Sequence, residues 1–126
     1  MHTVATFLQV LIAIGILNVW LVRPNRVTAY RGGAAQTLEE EFRVYGLSKP
    51  FMFVIGALKL SMASLLLIGV LYPMVTPFAS LTLGVLMAGA VMMHLKVRDP
   101  FAKMTPAFAM LILCAVVTLL TLSQSA

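Results

Sequence analysis

Four long apolar runs, separated by short polar stretches, dominate the pattern along the chain. They are Val4–Val22 (VATFLQVLIAIGILNVWLV), Phe51–Leu71 (FMFVIGALKLSMASLLLIGVL), Phe78–Leu95 and Pro106–Leu122, and the only charge inside them is Lys59. At about 1.5 Å per residue, such runs make rods of roughly 25–31 Å, close to the thickness of a bilayer's hydrocarbon core. The pattern therefore predicts an all-α fold, a transmembrane four-helix bundle with spans over 4–22, 51–71, 78–95 and 106–122 in a single integral membrane domain, 1–126. The first run has no Lys or Arg before it and exceeds the usual length of a signal-peptide core, so it is expected to be a retained span. Trp20 falls where an interfacial aromatic belt would sit, and Arg23-Pro24 closes the run.

The polar stretches have their own signals. In the 23–50 connection, Thr37 followed three residues later by Glu40 reads as a capping box, with Glu39, Glu40 and Glu41 in a first helical turn. Leu38, Phe42 and Tyr45 recur at helical spacing, so a short amphipathic helix is expected over 38–46, lying on the membrane surface and ended by Gly46. Glu39–Glu41 read as a solvated, capped helix start; the sharper alternative is an acid reaching inward to Lys59 or His94. Tyr72–Pro77 makes a tight uncharged hairpin. Pro50 suits the start of the second span, and Thr105-Pro106 reads as the N-cap and first residue of the fourth.

Composition agrees with this architecture. The 126 residues are 61% hydrophobic and 10% charged, too few charges to cover a water-soluble surface. The net charge of +5 does not form a basic stripe, so no nucleic acid is expected as partner. The 23–50 connection holds five of the nine Lys and Arg residues and the 96–105 connection three, while the termini and the hairpin hold none. The positive-inside rule then places both basic connections in the cytoplasm and both termini outside, in a bacterial plasma (inner) membrane. The lipid bilayer is one expected partner; another membrane protein or a second copy is the other. Cys114 stands alone, which excludes disulfide and thiol-pair chemistry and makes it a buried small hydrophobe.

Three polar residues within the spans are the candidate ligand-binding set: Asn18, Lys59 and His94. All project to the cytoplasmic half, and each has a small neighbour at helical spacing: Gly15 for Asn18, Gly56 and Ala63 for Lys59, Ala90 for His94. Small residues mark faces where membrane helices approach closely, so the three are expected to point inward. An ammonium at the depth of Lys59 costs about 2.5–3.5 kcal/mol on insertion scales unless it finds a partner, and snorkelling to the headgroups is its bland alternative. Met52 and Met62 fall near its face. No catalytic residue is assigned, because the spans hold no carboxylate and Ser61 and Ser64 are wrongly spaced for a Ser-Lys dyad. No metal is expected, since His2, the other histidine, sits at the opposite membrane face. The missing intramembrane acid also argues against a small proton-coupled multidrug exporter.

The chain resembles the DoxX-like family of small four-span bacterial membrane proteins over nearly its whole length. The resemblance rests on Gly56-Ala57-Leu58-Lys59 continuing through Leu65–Gly69, and on His94-Leu95-Lys96 followed by Asp99, Lys103 and Pro106-Ala107. It implies a four-helix bundle and a site shared by Lys59 and His94. It also implies association with larger membrane assemblies: thiosulfate- or quinone-linked oxidoreductases, oxidative-stress complexes, or receptor channels under assembly. Many members have an acid in the second span near Lys59, where this chain has Ser61 and Ser64. The functions expected are an accessory or assembly partner without catalysis of its own, a binder of a quinone or anionic lipid in a cytoplasm-facing pocket, or a membrane subunit of a quinone-linked oxidoreductase. No cofactor is expected beyond a bound quinone or lipid.

Overall fold

The structure, a computed structural model, describes residues 2–22, Pro24 and 30–125, without the side chains of His2, Gln124 and Ser125. Arg23 and Arg26, which contribute to the charge asymmetry, lie outside the described residues.

Among the described residues five α-helices form: α1 (His2–Leu17), α2 (Leu38–Val44), α3 (Lys49–Ile68), α4 (Thr76–Lys96) and α5 (Phe101–Ser125). Four stretches of the described residues are long and apolar enough to cross a membrane: Thr3–Val22, Lys49–Ile68, Pro73–Lys96 and Phe101–Ser123. The all-α membrane bundle is therefore as expected. Packing runs in a ring from α1 to α3 to α4 to α5 and back to α1. One apolar core fills the ring, with Ile12 and Ile16 from α1, Ala63 and Leu66 from α3, Leu83 from α4 and Cys114 and Val117 from α5. Cys114 is the buried small residue expected of it. Outward, large apolar side chains such as Phe7, Phe53, Phe78 and Leu119 are exposed, as lipid-facing positions must be.

Two polar pairs tie the helices together inside the bundle. The Ser80 and Thr118 hydroxyls meet at 2.7 Å and tie α4 to α5. Gln9 Nε2 donates to the Leu66 carbonyl at 2.8 Å, near the end of α3 where helix carbonyls lack intrahelical donors. Ser61 and Ser64 face outward.

Several boundaries differ from expectation. The first span changes to a π-helical turn at Asn18–Val22, which hydrophobic periodicity does not signal. The second begins at Lys49, capped by the Ser48 side chain, which accepts from Phe51 N. The fourth begins at Phe101, so Pro106 lies inside α5 and Thr105 is not its cap. Proline tolerates this position by giving up one bond to the preceding turn, while Thr105 Oγ1 donates back to the Phe101 carbonyl at 3.2 Å.

α2 starts as the sequence predicts, with Thr37 Oγ1 accepting from Glu40 N at 3.1 Å. Its placement differs: Leu38 and Phe42 bury against Met52, Trp20, Leu47 and Ile55. The helix caps one end of the bundle instead of floating on the membrane surface, because its apolar face finds protein to cover it. It ends in a Schellman motif, with Gly46 at φ +80°, Gly46 N donating to Arg43 O and Leu47 N to Phe42 O.

Candidate functional site

A cavity of about 380 Å³ lies beneath α2, between the ends of the spans. That volume is at the low end for small-molecule sites. Lys59 and His94 both line it; Asn18 does not, being in the π-helical turn beside it. The structure thus brings together two of the three predicted residues. It also adds Arg31, Glu41, Tyr45 and Lys103 to the lining, with Trp20, Phe42 and a group of methionines.

Lys59 sits ten residues along α3, about 15 Å from its start, and is only 9% exposed. Gly56, one turn earlier, lets Trp20 close over it: a Cβ at Gly56 would lie 2.6 Å from the indole. Lys59 Nζ stands 5.4 Å from the centroid of that ring, a cation–π distance. Trp20 also meets Phe42 edge-on at 5.9 Å and forms a wall of the cavity. Among the described residues Lys59 has no hydrogen bond and no ion pair.

Glu41 is the acid that turns inward. Leu38, Glu41 and Tyr45 share one helical face, and Glu41 Oε2 accepts from Gly32 N at 2.6 Å. Burial raises the pKa of its carboxyl, opposed by the Gly32 bond and by the charges of Arg31, His94 and Lys59. The solvated reading holds for Glu39, which pairs outside with Arg43 at 3.5 Å and Lys49 at 3.7 Å. It fails for Glu41, because the stripe that buries α2 carries Glu41 with it.

His94 is held in a chain of three side chains. α4 ends in a second Schellman motif, with Arg98 at φ 59°, Arg98 N donating to Leu95 O and Asp99 N donating to His94 O. This turn folds Asp99 back over the histidine. His94 Nδ1 lies 2.7 Å from Asp99 Oδ2, and Nε2 lies 3.3 Å from the Tyr45 hydroxyl. Burial, with the carboxylates of Glu41 and Asp99, raises the Tyr45 pKa, so the phenol keeps its proton. The Asp99 carboxylate can only accept, so His94 Nδ1 donates to it, while the Tyr45 hydroxyl meets Nε2 at the other end of the ring.

The same corner latches the 30–48 connection to the α4–α5 turn. Asp99 Oδ1 accepts from Gly33 N at 3.0 Å, Lys103 Nζ donates to Gly33 O, and Lys96 Nζ donates to Tyr45 O at 2.8 Å. Gly33 adopts φ +54°, and a Cβ at Gly32 would come within 2.5 Å of the Tyr45 ring, so both glycines are needed for this approach. Both basic connections thus close over the same end of the bundle. Among the described residues, no three of His, Cys, Asp and Glu come together as a metal set.

Fold and site together define a four-span membrane protein with a polar-headed cavity under a latched cap. The chain matches the model of the DoxX-like family over residues 8–117 and belongs to that family. No curated protein and no solved structure matches it.

Proposed function

We propose that this DoxX-like protein is a binding protein, without catalysis of its own, for an amphipathic small molecule. The polar end of the ligand lies against Lys59 and its apolar part among Ile55, Leu86, Met87, Met93 and Met110. The observation that carries this reading is Lys59: an almost fully buried amine that lines a cavity and has no hydrogen-bonding or ionic partner among the described residues. A buried charge without a partner is costly, and a ligand acceptor relieves the cost. Quinone carbonyls or an anionic lipid headgroup would supply such an acceptor. By the positive-inside rule the cavity end faces the cytoplasm of a bacterial plasma membrane.

An accessory or assembly role in a larger membrane complex would use the exposed apolar helix faces, and is compatible with an occupied cavity. Serving as the membrane subunit of a quinone-linked oxidoreductase would require an electron carrier from a partner.

The test is extraction in a mild detergent followed by native mass spectrometry of the wild type and of Lys59→Met. A bound small molecule is expected on the wild type and lost from the variant. Equal retention by both, or none by either, would overturn the binding role.

A further inference from the structure

The charges that line the cavity are unbalanced. Arg31, Lys59 and Lys103 face it from three different segments, against the single carboxylate of Glu41. Asp99, beside the lining, is committed to His94 Nδ1 and Gly33 N, and His94 is further engaged by Tyr45. Lys103 is occupied by the Gly33 carbonyl, and the Arg31 guanidinium reaches Pro24 O at 3.4 Å. Glu41 itself is held by Gly32 N. Among the described residues, no other lining residue supplies a negative charge.

The cavity wall also reaches the lipid-facing surface. Val85, 65% exposed, and Phe51, 43% exposed, line the same cavity as Lys59. A molecule already dissolved in the bilayer can therefore enter sideways with its tail still among lipid chains.

We infer that the ligand is an amphiphile with an anionic headgroup, a carboxylate or phosphate, seated at Lys59 and Arg31 with its tail leaving past Val85. The inference rests on the binding role proposed above and narrows its ligand to one charge class. Glu41 sets the limit on that charge: it lines the same cavity, and its carboxylate repels an anion there. A neutral headgroup of the same size leaves the lining charges unbalanced and gains less.

Trp20, the single tryptophan of the chain, forms one wall of the cavity and serves as the reporter. The protein is placed in nanodiscs of zwitterionic phosphatidylcholine and titrated with an ω-bromo fatty acid, at a pH where the acid is ionised. The matching ω-bromo alcohol is titrated in parallel, and bromine quenching of Trp20 is read. The acid is expected to quench saturably and to bind about tenfold or more tightly than the alcohol. Lys59→Met removes that difference, Lys59→Arg keeps it, and Glu41→Gln tightens the acid without affecting the alcohol. Acetate and inorganic phosphate, which carry the charge without a tail, do not displace the bound acid.

If acid and alcohol bind equally to the wild type, the anionic class is wrong while the binding role stands. Displacement by inorganic phosphate or acetate at equal concentration would overturn the amphiphile. Linear, unsaturable quenching by both probes, identical in wild type and Lys59→Met, would overturn the binding role and the inference with it.

Discussion

Asp99 offers the sharpest perturbation of the capped cavity. Its side chain is 4% exposed and receives two donors, Gly33 N on one oxygen and His94 Nδ1 on the other. Asparagine keeps the shape but has one acceptor oxygen, so Asp99→Asn leaves the site one acceptor short. A buried donor without a partner costs about 1–3 kcal/mol. If that cost falls on the latch, the equilibrium for lifting the 30–48 connection rises roughly 5- to 150-fold. Asp99→Ala removes both acceptors and is expected to exceed it. Amide hydrogen exchange reads the opening directly, since local opening is what exposes protected amides. Exchange should accelerate at Gly33 and over 38–47 and stay unchanged in the middle of α3, around Ala63. The histidine can reverse its proton and accept from the new amide, which moves the deficit to the Tyr45 hydroxyl; Tyr45→Phe added to Asp99→Asn is then less than additive. Unaltered exchange over 38–47 in both Asp99 variants would refute the latch.

Three other outcomes follow from the geometry. Gln9→Leu removes the donor to the Leu66 carbonyl and should lower stability in detergent by about 1–3 kcal/mol, read from the thermal midpoint and checked by rescue with Gln9→Asn falling short of the wild type. Gly56→Ala drives a methyl into the indole of Trp20 and should cost about 1–3 kcal/mol while shifting Trp20 emission; an unshifted spectrum would count against the close packing. Glu41→Gln should raise stability in a pH-dependent way. Burial raises the folded pKa of Glu41 above its unfolded value, so the folded state holds the proton more tightly. Below the ordinary carboxylate range the variant and wild type should melt alike. As pH rises through the raised folded value the wild type loses stability that the glutamine keeps, and the gap then levels off. A gap independent of pH would refute the inward placement of Glu41.

Much of the fold was legible because membrane spans announce themselves by length and by the exclusion of charge. The capping box at Thr37 and Glu40 was equally readable, being a local pattern. Boundaries were less so. Pro106 has the signal of a helix start, yet α5 absorbs it by forgoing one bond, and Asn18–Val22 widens into a π-turn with no marker in its hydropathy. In the site, small neighbours correctly turned Lys59 and His94 toward one cavity, while the same rule did not place Asn18 in the lining. Glu41 could have been found: it shares the face of Leu38 and Tyr45, and that stripe was read as lying on lipid when it lies on protein. Arg31, Asp99 and Lys103 could not, because their placement depends on glycine turns and on a left-handed non-glycine residue, Arg98, whose side chain gives no turn signal in the sequence.

The latch also fixes an order of events during synthesis. Its partners are distant in the chain: Tyr45 meets His94 across 49 residues, Gly33 meets Asp99 across 66 and Lys103 across 70. Chains are made N-terminus first, so the 30–48 connection leaves the ribosome well before the α4–α5 turn that will hold it. Until then the connection lacks its contacts with Lys96, Asp99 and Lys103, although Trp20 and the packing of α2 on α3 involve only earlier segments. The cavity comes into being only when the last span is inserted, which makes the fourth crossing the step that turns an open bundle into a closed receptacle.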